Sequence, residues 1–230
     1  KKSMSILIYA EYAEGKFKKV ALELASYAKK VAETLGTTVT AVTINAGDVS
    51  ELSKYGVDKV LKVNNDKLSG FTAKAYADVI KQAAQKEASK LILLSSTTDS
   101  LYLSSLVAVA LEAGFTSNVV GLPVSTSPFQ VKRTAFSNKA FNTTEITTDI
   151  KILGLAKNSY GIFENASTLT QEDFNPTIGE NDFGVKVESV EKGSGKVSIA
   201  DADIVVSGGR GLKGPENWGM IEELASVLGA

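Results

Sequence analysis

The sequence predicts an α/β protein: a parallel sheet with flanking helices, then an antiparallel β-ribbon, then the first strand-helix unit of a second domain. Three observations predict it. Between Ile6 and about Val124, short β-branched runs alternate with segments of helical periodicity, the signature of a parallel sheet covered by helices. After Pro123 the pattern changes to Thr-rich alternating segments joined by short polar turns. Close to Ala230, a short apolar run passes through clustered glycines into another segment of helical spacing.

The first strand is expected at Ile6–Ala10. Phe17, Val20, Leu24, Tyr27, Val31 and Leu35 recur every three or four residues, which turns one apolar stripe of a helix toward the sheet, and Gly36 supplies its stop. Further strands are expected at Val39–Ile44, Lys59–Val63, Leu91–Ser95 and Asn118–Val124. A helix from about Ala73 to Lys86 buries Tyr76, Ala77, Ile80, Ala83 and Ala84, and another begins near Ser100 with Leu103, Leu106, Val107 and Ala110 inward. Thr97, Thr98, Asp99 and Ser100 offer the side-chain oxygens of a helix N-cap, a reading preferred here to a phosphate cradle.

Val131–Ser137, Ala140–Thr147 and Ile150–Leu155 read as consecutive antiparallel strands. Asn142, Thr143, Thr144, Thr147 and Thr148 make that ribbon polar, so one face is expected to meet solvent or another chain. A polar connection covers Glu164–Gly184, and Val185–Val190 reads as one more strand. The domains are therefore expected at 1–190, an α/β scaffold, and at 202–230, joined by a linker over 191–201 whose Lys192-Gly-Ser-Gly195 is short and flexible. In the second unit Ile204–Val206 form a strand, Pro215 opens a helix, and Trp218, Ile221, Ala225 and Leu228 fall on one stripe. One strand and one helix cannot cover their own apolar faces, so this unit is expected to be the truncated start of a larger domain.

Composition excludes more than it suggests. The 230 residues include neither histidine nor cysteine, so a Ser-His-Asp triad, a thiol nucleophile, a zinc site and an iron–sulfur ligand set cannot be assembled from this chain. Asp99, Asp149 and Asp173 show no paired spacing suited to acid–base work, so no catalytic residue is expected. The net charge of −1, with both signs interspersed, gives no footprint for nucleic acid. No apolar run approaches the roughly 20 residues that would cross a bilayer, and the first residues lack the apolar segment of an export signal; the expected location is the cytoplasm.

The candidate site is the bend Ser207-Gly-Gly-Arg-Gly211. Glycines free the backbone to take unusual torsions and to approach a ligand closely. The chain has 23 lysines against two arginines, so the guanidinium of Arg210 among Gly208, Gly209 and Gly211 is a selected cation, and its planar fork suits an anionic or delocalised ring edge. The spacing alone matches neither a dinucleotide fingerprint nor a P-loop and is compatible with a plain strand-to-helix turn.

The literal run Val206-Ser-Gly-Gly-Arg-Gly-Leu-Lys-Gly-Pro-Glu-Asn217, followed by Ile221-Glu-Glu-Leu-Ala-Ser-Val-Leu-Gly-Ala230, resembles the α subunit of electron-transfer flavoproteins. Ile6-Leu-Ile-Tyr-Ala-Glu11, Gly56-Val-Asp-Lys-Val60, the Ser95–Ser100 loop and Arg133-Thr-Ala-Phe-Ser-Asn-Lys-Ala140 keep the order found in those subunits, with the Arg133 strand and the glycine bend the most specific. The resemblance implies a nucleotide α-hydrolase-like first domain that serves as scaffold and subunit interface, and an electron carrier rather than an enzyme. It also implies a heterodimer with a β subunit that binds AMP. FAD would lie mostly in the second domain, held by the full-length heterodimer but not by residues 1–230 alone. Gly208, Gly209, Arg210 and Gly211 would contact that flavin. Arg133 and Asn138 would be structural and Trp218 core or interface, while Lys157 stands where family members often carry arginine. Electrons would come from flavin dehydrogenases such as an acyl-CoA dehydrogenase and pass to an acceptor such as a membrane quinone oxidoreductase, in the cytoplasm or in the mitochondrial matrix of a eukaryote, with no direct membrane insertion. The alternative of another class is a stand-alone adenine-nucleotide-binding module of the universal-stress type.

Overall fold

The computed structural model describes residues 5–185, 187–189, 199, 202 and 204–230. It divides into two compact units, Lys1–Val187 and Glu188–Ala230.

The first unit opens with β1 (Ser5–Tyr9), buried along its whole length. A small hairpin follows, β2 (Tyr12–Ala13) and β3 (Lys16–Phe17), whose turn residues Glu14 and Gly15 take φ of 55° and 78°, matching the twist of a two-residue hairpin. Helix α1 (Lys19–Leu35) ends where expected, on Gly36 in the left-handed region. Phe17 belongs to β3 rather than to the helix. Next come β4 (Thr38–Ile44), β5 (Lys59–Val63), α2 (Ala73–Glu87), β6 (Leu91–Ser95) and α3 (Thr98–Ala110). The Thr97 hydroxyl caps α3 by accepting a hydrogen bond from the Ser100 N–H at 3.2 Å, as the capping reading expects. The unit continues through β7 (Gly114–Val119), β8 (Ser125–Thr126), β9 (Phe129–Ala135), β10 (Ala140–Glu145), β11 (Lys151–Leu155) and β12 (Thr170–Asp173).

One sheet runs β10-β9-β7-β11-β6-β1-β4-β5-β12, with β8 paired to β9. From β7 to β12 the neighbours are parallel, while β9 and β10 add antiparallel at one end. Strand alternation sorts the core into two layers. Ile6, Ile8, Val39, Ala41, Leu93 and Leu153 face α1, and Leu7, Val42, Leu61, Ile92, Leu94 and Ile152 face α2 and α3. Covering both faces explains why the central strands read as continuous apolar runs.

Four expectations need correcting. Ile150–Leu155 is not the third strand of an antiparallel ribbon; β11 lies parallel between β6 and β7. Its Ile-Leu-Gly-Leu run is buried on both faces, and Gly154 fits because a Cβ there would press on Ser96 Oγ at 3.0 Å and Ser117 Cα at 3.4 Å. The strand placed at Asn118–Val124 begins earlier, at Gly114, and ends at Val119, just after Asn118 takes a φ of 56°. A polar strand, β12, was not expected; its Thr-Gln-Glu-Asp sequence pairs with β5 at the sheet edge, where one side of the strand needs no apolar partner. Ile204–Val206 form no strand, for no described segment pairs with them. Of the strand expected at Val185–Val190, Lys186 and Val190 lie outside the described residues and the others are not extended into a ladder. The linker expected at 191–201 lies outside the described residues except for Ile199.

In the second unit two 3-10 turns, Arg210–Leu212 and Pro215–Asn217, precede α4 (Gly219–Leu228), which ends on Gly229 at a φ of 70°. No residue of α4 is buried.

Candidate functional site

The glycine bend does not lead straight into the helix, as the sequence suggested. Arg210–Leu212 form a single tight turn, in which Leu212 N–H donates to the Gly209 carbonyl at 3.0 Å and Lys213 N–H to the Arg210 carbonyl at 3.1 Å. Asn217 Nδ2 then donates to the Leu212 carbonyl at 2.7 Å and ties the bend to the next turn. Pro215 does sit at the first position of that second turn, but α4 begins only at Gly219, so its free N–H groups lie well along the chain from Arg210.

Each glycine has its own reason. A Cβ at Gly208 would strike the Leu212 side chain and crowd Ile221, so this position serves packing within the bend. Nothing lies within 4 Å of a Cβ built at Gly209 or Gly211. Those two glycines therefore leave bare backbone on either side of Arg210, and packing does not require them. The Arg210 side chain is exposed, and no carboxylate among the described residues pairs with it, Glu216 included; Asp203 lies outside the described residues. Ile204, Val205, Met220, Leu224, Val227 and Leu228 are exposed as well, and Trp218, expected in a core or interface, is 43% exposed. A cation flanked by open backbone, in a unit that also exposes apolar side chains, can hold a large, flat, partly anionic group.

The first unit has a second region that sequence reasoning missed. Strand β1 has β4 on one side and β6 on the other, and β1 connects onward to β4 while β6 is reached only after β5 and α2. The crossovers thus change direction between β1 and β6, the place where open α/β sheets bind ligands beyond the carboxyl ends of their strands. Here that place is filled by Glu11, only 4% exposed. Its Oε1 accepts from Thr97 Oγ1 at 2.8 Å and Ser100 Oγ at 2.9 Å, and its Oε2 pairs with Lys18 Nζ at 2.9 Å. At the carboxyl end of β11, Glu23 of α1 does the same for a backbone nest. Its carboxylate accepts from the N–H groups of Asn158 at 2.9 Å, Tyr160 at 2.8 Å and Gly161 at 3.0 Å. Tyr9, beside Glu11, is pushed well above the ordinary tyrosine range by burial and then by the Glu11 charge, which keeps it a neutral core residue. One sequence signal points to Glu23: with Val20, Leu24 and Tyr27 it shares the apolar face of α1, where an exposed glutamate does not belong.

The remaining predicted residues scatter. Arg133 lies in β9 opposite Asn142, with its Nε buried and without a hydrogen-bond partner among the described residues. Asn138, at the hairpin tip, takes a φ of 62°, and Lys157 is exposed just past β11. None of the described residues of the first unit forms a cluster able to hold a metal ion, and no described helix is long and apolar enough to cross a membrane.

Comparison with known proteins meets this geometry from the other side. The electron transfer flavoprotein domain family matches residues 6–177, and the electron transfer flavoprotein FAD-binding domain family matches residues 198–230. The chain is similar to the electron transfer flavoprotein subunit alpha of Thermoanaerobacterium thermosaccharolyticum, 33% identical over 97% of this chain and 70% of that one. It is similar also to the protein FixB of Clostridium saccharobutylicum, 30% identical over 97% of this chain and 69% of the relative. A third relative is the LctC subunit of the lactate dehydrogenase (NAD(+),ferredoxin) of Acetobacterium woodii, 26% identical over 98% of this chain and 56% of the relative. Fold and sequence together define a subunit of a flavin-dependent electron carrier. The chain belongs to the electron-transfer flavoprotein α-subunit family, and FAD is the cofactor of the full-length protein. The stand-alone nucleotide module of the universal-stress type is not favoured, since the family match spans both units.

Proposed function

We propose that this chain is the α subunit of a heterodimeric electron carrier in which residues 1–190 form the scaffold and the β-subunit interface and residues 202–230 open the FAD-binding domain, with a linker over 191–201. The observation that carries the reading is the bend around Arg210, where an exposed guanidinium stands between two glycines that nothing nearby requires. Arg210 would face the flavin ring or its pyrophosphate, with the Gly209 and Gly211 backbone close enough to hydrogen-bond it and Gly208 shaping the turn behind.

The bound flavin supplies the redox chemistry; the protein supplies position and charge. A fixed guanidinium favours added negative charge beside it, so Arg210 would raise the tendency of the site to accept electrons. No side chain of this chain takes part in bond making, which is the sense in which the subunit is a carrier and not an enzyme. Flavin dehydrogenases, such as an acyl-CoA dehydrogenase, are the donors this reading expects, and a membrane quinone oxidoreductase is an acceptor it admits; the LctC relative is itself named as a subunit of a lactate dehydrogenase (NAD(+),ferredoxin). On this reading the complex would work in the cytoplasm, or in the mitochondrial matrix of a eukaryote. The test is to co-purify the full-length α subunit with its β subunit and record the absorbance spectrum. Flavin bands in proportion to the heterodimer support the reading, and a colourless complex refutes it.

A further inference from the structure

We propose that the switch-point crevice of the first unit is a self-occupied anion site: the Glu11 carboxylate stands in place of an external oxyanion, and the donors around it are built to hold one. The crevice lies beyond the carboxyl ends of β1 and β6, where a fold of this topology offers its ligand site. Three donors converge there, the hydroxyls of Thr97 and Ser100 from the start of α3 and the ammonium of Lys18 from the loop before α1, all within 2.9 Å of the one carboxylate. A hydroxyl pair at a helix start joined by a lysine is a donor set suited to phosphate or carboxylate.

The carboxylate is not simply a surface group that folded inward. Glu11 is 4% exposed, and the residues after it form the β2–β3 hairpin, whose Tyr12 hydroxyl reaches the backbone beside Gly47 past the end of β4. The hairpin therefore extends from β1 over the end of β4, and Lys18, which follows directly from its second strand, turns back to the crevice, where its N–H closes on the Glu11 carbonyl at 3.0 Å. Glu23 repeats the device two strands away, placing a carboxylate from within the chain into a nest of three backbone N–H groups. Two anion cradles along one sheet edge are filled by internal carboxylates, so the scaffold keeps the geometry of a ligand-binding fold while excluding the ligand.

The test is chemical rescue. Thermal unfolding of Glu11→Ala and of wild type is compared in chloride, acetate and inorganic phosphate at equal ionic strength. The readout is the difference between the two proteins, because excluded salts raise both. In chloride the Glu11→Ala midpoint falls by about 6–12 °C, from the unsatisfied hydroxyls of Thr97 and Ser100 and the loss of the Lys18 ion pair. Acetate or phosphate then restores at least half of that loss with saturation, and adding Thr97→Val removes the restoration. A Glu11→Ala midpoint that moves no more than wild type in acetate and phosphate overturns the proposal. Should Glu11→Ala fail to fold in chloride, its gain in refolding yield from urea in acetate over chloride is compared with that of wild type: a larger gain supports the site, and an equal or smaller gain, including none, overturns it. AMP or phosphate binding to wild type at millimolar concentration, lost on Thr97→Val, would show that Glu11 does not fill the site and would overturn it too.

Discussion

Replacing Glu23 with alanine tests whether an internal carboxylate organises the carboxyl edge of the sheet. The segment after β11 is docked on α1 through Glu23, through Ser26, whose Oγ accepts from Phe163 N–H at 3.0 Å and donates to its carbonyl at 3.1 Å, and through Tyr27, which packs edge-on against Tyr160 with centroids 5.3 Å apart. Of the three amides bound to Glu23, that of exposed Asn158 can turn to water at little cost. Those of Tyr160 and Gly161 are partly buried, and each loses about 1–2 kcal/mol when its charged acceptor is removed. The sum is about 2–4 kcal/mol, or a fall in midpoint of about 5–15 °C for a domain of this size. Glu23→Gln keeps an oxygen for Tyr160 and Gly161 but turns an amide nitrogen toward Asn158 N–H, so about half of that loss is expected. Urea unfolding followed by circular dichroism measures both variants. A Glu23→Ala protein within about 0.5 kcal/mol of wild type, or a Glu23→Gln protein as unstable as Glu23→Ala, would refute the reasoning.

Glu172 in β12 is held at about 2, below its ordinary 4.5, by hydrogen bonds from Lys59 and then Lys86, at 2.7 Å and 2.6 Å. A depressed carboxylate stabilises above its unfolded pKa, so the advantage of wild type over Glu172→Gln should be constant above pH 4.5 and vanish as pH falls through about 2. Because Glu172 is 38% exposed, that advantage is screened to about 0.5–1 kcal/mol, and pH-dependent urea unfolding that shows no loss below pH 4.5 would contradict it. Leu93→Ala in fully buried β6 should cost about 3–4 kcal/mol from lost burial and a residual cavity, read by urea unfolding; a cost under about 1 kcal/mol would mean that the layer facing α1 is not packed as described.

The sequence made the inner sheet legible and the edges obscure. Val39–Ile44, Lys59–Val63 and Leu91–Ser95 are β-branched or leucine runs bounded by turns, and they are found at those positions within a residue. Lys151–Leu155 has the same buried character but follows a Thr-Asp turn, so proximity to the ribbon outweighed its composition, although two-sided burial was the better guide to a parallel partner. β12 carries no apolar residue at all, and its pairing with β5 is fixed by tertiary context and by Lys59. Glu11 and Glu23 were missed because a glutamate in a sequence looks solvated until the fold shows what surrounds it. The Arg210 bend was found by its literal residues, and its shape was not foreseen: an apolar run before it suggested a strand, yet Ile204–Val206 have no described strand to pair with.

Whether Arg210 grips the flavin is read from the flavin content and reduction potential of the full-length heterodimer carrying Arg210→Ala, beside wild type and Arg210→Lys. Loss of the guanidinium should reduce flavin content or lower the potential by about 30 mV or more, equivalent to about 1.4 kcal/mol for a two-electron couple, with Arg210→Lys in between because it keeps the charge and loses the fork. Flavin content and potential equal to wild type in Arg210→Ala would contradict it.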